Sequence, residues 1–291
     1  IGIEYGTRYA DFGSRTIVPP NQRKPPFWRE CQPLFQIKFS AFHGNDENYM
    51  AYFKAINDYG LTWIHGYPSC IMPFASFVAQ NGLTFDKPIK AVTASAENLY
   101  GYQRSIIEKA FGVQPHALYG LTEAVACIGE DADHDYIVDE DYSAVEFIEC
   151  GDYSRIVGSN LTNFAFPLLR YDTGDLAITT DRLKNGRRVI ERIDGRTGEL
   201  LSLPDGGKVG ALSALFTESA TIKEAQIHQL EDYSVEISFV PLSDNYTEDI
   251  AEAEKRFRDR TKGMLPVSFK RVDGIERTKR GKLRYVVSDI K

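Results

Sequence analysis

Apolar residues in the first part of the chain recur with two periods. Within residues 47–59, Met50, Phe53, Ala55, Ile56 and Tyr59 fall largely on one face at helical spacing, which predicts an amphipathic helix with Asp46 as its cap. The apolar stretch from Ile71 to Val78 follows Pro68 and Ser69 and has the length of a buried helix. Between them Thr62 to His65 reads as a short strand. Ile89 to Thr93 predicts a second strand, Leu99 to Phe111 a helix closed by Gly112, and Pro115 to Tyr119 a third strand. Strands alternating with helices predict an α/β fold, a layered sheet-and-helix domain with a parallel sheet. Ligands on such sheets gather at the loops that follow the carboxyl ends of the strands.

The pattern changes from about residue 135 to 193. Ala144 to Ile148, Arg155 to Ser159, Leu176 to Thr180 and Arg187 to Ile193 are short apolar runs with few helix signals, so a β-rich subdomain is expected. Asp194, Gly195, Arg196, Thr197 and Gly198 then form a cluster of turn formers, which places the domain boundary there. The expected division is residues 1–197 for the large domain and 198–291 for a small α+β domain. That second domain would hold a strand pair near Ala225–Leu230 and Val235–Pro241, a helix from Glu248 to Thr261, and a strand over Val267–Val272.

Composition narrows the function classes. The chain has 291 residues, 43% hydrophobic and 26% charged, enough for two ordinary globular domains. A net charge of −7 argues against nucleic acid as partner, because a polyanion needs a broad basic footprint. No apolar run reaches the roughly 18 residues of a membrane span, no signal pattern opens the chain, and cytosol is the default. Cys31, Cys70, Cys127 and Cys150 form no C-x-x-C pair and read as reduced core thiols. The chain starts at Ile1 without a methionine, and the expectation is a processed product, an engineered fragment or the ordered part of something longer.

Four polar motifs stand out. Tyr119-Gly120-Leu121-Thr122-Glu123 follows the third strand and combines a permissive glycine, a hydroxyl donor and a carboxylate that suits Mg²⁺; the alternative is a turn in which Thr122 caps a following helix. In Arg170-Tyr171-Asp172-Thr173-Gly174-Asp175, Asp175 can accept two hydrogen bonds from a vicinal diol, or the segment is an Asx-type turn. Arg196 offers a donor fork to ribose or phosphate, or a surface salt bridge. Last, Arg277-Thr278-Lys279-Arg280-Gly281-Lys282-Leu283-Arg284 is a basic glycine turn that alone reads as a solvated hairpin tip.

Taken in order, these motifs resemble those of the adenylate-forming enzymes, the superfamily of acyl- and aryl-coenzyme A ligases, luciferases and peptide-synthetase adenylation domains. The wording WIHGYPS at 63–69, SAE at 95–97, VDEDY at 138–142, LTNFAFPLLRYDTGDLA at 161–177 and RTKRGKLR at 277–284 is similar to the phenylacetate–coenzyme A ligase branch, including its capsular polysaccharide biosynthesis members. The resemblance implies ATP-dependent activation of a small-molecule carboxylate as acyl-adenylate, then transfer to coenzyme A or a phosphopantetheine thiol. It implies that Thr122 meets the α-phosphate and Glu123 the Mg²⁺. Ser95, Ala96, Glu97, Tyr119 and Gly120 would frame the adenine, and Asp175 and Arg196 the ribose. Lys282 would come from a mobile lid domain to neutralise the transition state. Phe42, His43, His65, Gly66 and Tyr67 would wall the acyl pocket, with both histidines equally open to a purely structural role.

Departures from the family pattern carry expectations of their own. The Gly/Ser/Thr-rich phosphate loop is expected before Ile1, so residues 1–291 alone are expected to adenylate poorly. The hinge acid is displaced, with Gly198 followed by Glu199. No cysteine-rich insert separates the Asp175 and Arg196 motifs, which argues against zinc there. Two other readings stay open: a non-catalytic adenylate-binding or partner-binding remnant, and an enzyme that loads a carrier protein. A homodimer is compatible with all three.

Overall fold

The computed structural model describes residues 1–291 apart from 14–15, 152, 197–199, 211, 217–218, 220, 278–282 and 291. Three short strands come first, β1 (Tyr9–Phe12), β2 (Trp28–Cys31) and β3 (Gln36–Phe39). Helix α1 (Asp46–Asp58), β4 (Trp63–Gly66), α2 (Pro68–Gln80), β5 (Ala91–Ser95), α3 (Gly101–Phe111) and β6 (Pro115–Gly120) follow in strict alternation. Next come β7 (Cys127–Glu130), β8 (Tyr136–Val138), β9 (Ser143–Cys150), β10 (Tyr153–Asn160), β11 (Tyr171–Lys184) and β12 (Arg187–Arg196). All twelve strands form one sheet, ordered β2-β3-β1-β4-β5-β6-β7-β8-β12-β11-β10-β9.

Its two halves differ in direction. From β3 through β1, β4 and β5 to β6 every pairing is parallel. Beyond β6 every pairing is antiparallel. β6 is therefore the strand where a helix-covered parallel sheet becomes a meander. The expected α/β layer with a β-rich extension is observed.

Helices α1, α2 and α3 pack on the parallel half through Tyr52, Ile56, Ile71, Phe74, Ile107 and Phe111, which join Ile37, Phe39, Ile64 and Val92 in one core. Each such side chain contributes roughly 1.5–3 kcal/mol by leaving water. Phe12 stacks on Phe39 of β3 at 5.1 Å and on Phe74 of α2 at 5.3 Å, tying the sheet to the helix above it. The inward face of α1 differs from expectation. Tyr49 and Tyr52 are buried and Met50 is exposed, because the Tyr52 hydroxyl finds a buried acceptor, donating to the Ser40 carbonyl at 2.7 Å. The cap is Asn45, not Asp46; its side chain accepts from the Asn48 amide at 3.0 Å.

The remaining chain builds a second unit. β13 (Leu201–Ser202) and β14 (Lys208–Val209) form a small hairpin; β15 (Ile222–Gln229), β16 (Val235–Pro241), β17 (Val267–Arg271) and β18 (Val286–Ser288) form a sheet ordered β17-β16-β15-β18. Helix α4 (Thr247–Arg260) covers it through Ala253 and Phe257, within a core that runs from Leu201 to Val286. The turn cluster begins later than expected: β12 continues through Asp194, Gly195 and Arg196, and Gly198 and Glu199 lie outside the described residues. The cysteines are free, but they are not core residues as expected: Cys31, Cys70 and Cys127 are half-buried and Cys150 is exposed. No helix among the described residues is long and apolar enough to cross a membrane.

Candidate functional site

The loops after β4, β5 and β6 lie on one end of the sheet, as the parallel pairing requires. Beyond β6 the chain turns at once. The Ala124 amide donates to the Leu121 carbonyl at 3.0 Å, and Ala124 adopts a left-handed φ of 56°. β7 follows, so the expected alternative of Thr122 capping a helix does not occur. Thr122 is exposed and Glu123 half-buried.

Two residues that the sequence reading did not single out hold this loop. Gly158 on β10 lies so close to it that a Cβ there would stand 1.9 Å from the Val125 carbonyl oxygen, which only hydrogen at that position permits. Asn160, buried at the end of β10, donates to the Glu123 and Phe166 carbonyls at 3.2 Å each and accepts from the Leu168 amide at 3.2 Å. One amide thus fixes both the Glu123 backbone and the 161–169 segment. A buried Asn closing an apolar strand is the signal that could have found it.

Asp175 is buried on β11. The Tyr119 hydroxyl donates to Asp175 Oδ2 at 2.7 Å, joining two motifs that are far apart in sequence. The Asx-type turn is also present, but Asp172 builds it, accepting from the Gly174 amide at 3.0 Å. The Asp175 amide donates to Thr173 Oγ1 at 3.0 Å, and that hydroxyl donates to the Ile156 carbonyl at 2.9 Å, so the Asp175 backbone is held from β10. In the β11–β12 ladder Asp175 stands opposite Arg196.

On the neighbouring strand Ser95 pairs with Leu118, placing Ser95, Ala96 and Glu97 beside Tyr119. Ala96 is in the left-handed region, at φ 66°. Glu97 accepts from both the Ser69 amide at 3.1 Å and the Ser69 hydroxyl at 3.0 Å, a carboxylate set on the amino end of α2. The loops after β4 and β5 are thereby stitched together.

Of the residues expected to wall an acyl pocket, His65, Gly66 and Tyr67 follow one another at the end of β4 into α2. A Cβ on Gly66 would meet the Phe12 carbonyl oxygen at 2.5 Å, so this strand end is pressed against β1. His65 Nδ1 lies 2.8 Å from Thr93 Oγ1, the oxygen that also accepts from Trp63 Nε1 at 2.8 Å. Burial pushes the His65 imidazole below its ordinary range. His43 has a separate set of neighbours: it stacks on Phe27 at 4.7 Å, with Ser40 Oγ 2.9 Å from Nδ1 and the Gln22 carbonyl 3.1 Å from Nε2. Phe42 beside it is 48% exposed.

The second unit reaches toward the same end. Arg277 and Leu283 form an antiparallel bridge, so the basic turn has the expected hairpin stem; its tip, including Lys282, lies outside the described residues. Arg277 pairs with Glu224 at 2.5 Å, and Gln226 Nε2 donates to the Arg284 carbonyl at 2.8 Å. Tyr285 packs on Tyr100, which precedes α3, at 5.1 Å. Burial pushes the Cys70 thiol up to about 12; Glu97 adds to that rise, and Arg277 opposes it, so the stem lies within electrostatic reach of the Glu97 loop. A cavity of about 470 Å³ lined by Leu215, Arg256, Asp259 and Arg260 lies in the second unit and includes none of these groups.

A parallel sheet turned meander, glycine- and carboxylate-bearing loops at the strand ends, and a small α+β unit facing them define the fold of the adenylate-forming ligases. Residues 201–289 match the CapK C-terminal domain. Over its whole length the chain is 28% identical to Protein CapK of Staphylococcus aureus, covering 67% of that protein. It superposes on 2-hydroxyisobutyryl-CoA ligase in the postadenylation state with a TM-score of 0.65 at 17% identity, over 99% of this chain and 66% of that one. For the anthranilate CoA ligase AuaEII in complex with anthranoyl-AMP the TM-score is 0.63 at 12% identity, over 87% of this chain and 54% of that one. The chain thus has the fold of the adenylate-forming ligases and is similar to CapK along its whole length. It spans about two thirds of the length of CapK and of the hydroxyisobutyryl ligase.

Proposed function

We propose that the protein carrying this chain activates a small carboxylic acid as its acyl-adenylate and passes the acyl group to a thiol, that of coenzyme A or of a phosphopantetheinyl carrier. The observation that carries this reading is the Tyr119–Asp175 hydrogen bond, made where β6 runs into the Gly120–Glu123 loop and next to the strand that leads into the Ser95–Glu97 loop. It fixes an acidic acceptor and an aromatic ring side by side, as a ribose and an adenine together require. The ligand-bound ligases of the same fold support it.

In this reading Asp175 and Arg196 hold the ribose, while Tyr119, Gly120 and the 95–97 loop frame the base. Thr122 offers its exposed hydroxyl to the α-phosphate. Glu123 suits Mg²⁺ by the chemistry of its donors, since a hard cation takes carboxylate oxygen and the loop beneath is fixed by Asn160. When bound, Mg²⁺ would supply charge neutralisation at the phosphates. His65, Gly66 and Tyr67 form the acyl wall, with Phe42 and His43 farther along the β3–α1 connection. Lys282 comes from the basic turn and offsets the charge that develops as pyrophosphate leaves.

A pyrophosphate-release screen of carboxylic acids against the protein tests the reading. At least one acid should give release that depends on ATP, and Lys282→Ala should slow it roughly 100-fold or more. Acyl transfer from a supplied acyl-adenylate should suffer less. Equal loss in both half-reactions would remove Lys282 from its role, and silence with every acid would favour a binding protein. Supplying free coenzyme A or a carrier protein in turn identifies the acceptor.

A further inference from the structure

At the opposite end of β6 from Tyr119 lies a second polar cluster that the adenylation reading leaves unused. His116 is on β6, Glu130 ends β7, and His134 is in the turn before β8. One ligand atom from each lies within 4.8 Å of the other two, and among the described residues no other trio of His, Cys, Asp or Glu does this. The two imidazoles stack at 4.5 Å with planes only 10° apart. His134 Nδ1 is 3.2 Å from Glu130 Oε2. His116 Nδ1 is buried and has no hydrogen-bond partner. A buried ring nitrogen without a partner is costly, and a cation bound at it would satisfy it.

We propose that His116, Glu130 and His134 bind one divalent ion of the zinc class, which pins the amino end of β6 to the β7–β8 hairpin. Two imidazoles and a carboxylate form a borderline-soft donor set that favours zinc over calcium or magnesium. Around a tetrahedral ion with bonds of about 2.1 Å the ligand atoms stand roughly 3.4 Å apart, so they must close by at most about 1.5 Å and the two stacked rings must turn out of their parallel planes to converge on the ion. His134 ligates as a neutral imidazole through the nitrogen that faces Glu130, with its proton on the other ring nitrogen.

The surroundings fix the Glu130 carboxylate and the backbone of the His134 turn, leaving the imidazoles to turn onto the ion. Arg104 forks onto the Glu130 carboxylate, and the Ala117 amide donates to Glu130 Oε2 at 2.9 Å, the outer contacts that orient a ligating carboxylate. His134 sits at a left-handed φ of 62°, in a turn where Asp131 Oδ1 accepts from the Asp133 and Asp135 amides. Lys184 locks that turn from outside, 2.5 Å from Asp131, 2.6 Å from Asp133 and 3.1 Å from Asp135. Glu130, Asp131, Asp133 and Asp135 face Arg104, Arg182 and Lys184, so four acids meet three bases and an added cation is not repelled.

The experiment is zinc titration of the whole chain against a competing chelator. The expected result is one ion bound per chain, a higher Tm with zinc, and binding weakened about tenfold or more in both His116→Ala and His134→Ala while His228→Ala is unchanged. Retained zinc affinity in both cluster variants, or no zinc binding by the parent chain, overturns the proposal. Imidazole resonances of the parent chain give a second reading that needs no variant. Zinc should move those of His116 and His134 and leave His43, His65 and His228 in place; the opposite pattern rejects the site.

Discussion

At its carboxyl end β6 delivers Tyr119 to Asp175 and then opens into a loop whose Thr122 hydroxyl faces solvent. At its amino end the same strand brings His116 against His134 and lays the Ala117 amide on Glu130, whose side chain is 2% exposed. The first end opens into an exposed loop. The second is tied down internally, with the Glu130 carboxylate held by Arg104, the Ala117 amide and His134. A single strand therefore carries an open end and an anchoring end, and under the proposed function the contrast says which substitutions should cost stability and which should cost chemistry.

The largest effect should come from the anchoring end. Glu130→Ala removes the partner of a half-buried guanidinium and should lower unfolding free energy by about 4 kcal/mol in denaturant titrations with a chelator present. If it left stability intact yet abolished pyrophosphate release, the two ends would have to exchange roles. Gly158→Ala comes next, at about 3 kcal/mol, because its Cβ collides with backbone and not with a movable side chain; nucleotide binding should fall with it. Asn160→Ala should cost about 2 kcal/mol and lower release further than its stability loss explains, since it frees the Glu123 backbone. Smallest is Tyr119→Phe, about 1 kcal/mol, which should appear in nucleotide affinity by calorimetry with little change in Tm.

Much of the parallel half was legible in the sequence. Strands β4 to β6 and helices α1 to α3 announce themselves through apolar runs of the right length and period. Strands β1 to β3, β7 and β8 did not, because they are three or four residues long and, unlike the equally short β4, do not lie between two helical periods that mark them out. β11 was visible only over its apolar middle: Asp172 and Gly174 make the Asx-type contact that was read as a turn, yet both lie within a strand that runs from Tyr171 to Lys184. At the site, Tyr119 and Asp175 were each recognisable by motif. Their direct bond was not, being a contact between distant segments set by strand order. The same holds for Gly158 against Val125 and for Arg104 on Glu130, where neither partner has a local signature. His116 and His134 carry no metal-binding spacing in sequence, since a β-hairpin and not a helix turn brings them together.

The contact between Trp63 and Thr93 has an optical consequence. The chain has two tryptophans. Trp28 lies among Phe39 and Tyr52 near the outer strand, far along the sheet from β6. Trp63 rests on Tyr9 at 4.2 Å and donates its indole N–H to the residue two positions before Ser95, at the threshold of the Ser95–Glu97 loop. Its emission is therefore expected to shift when the chain around that loop moves, and under the proposed function nucleotide should change the fluorescence of the unlabelled protein.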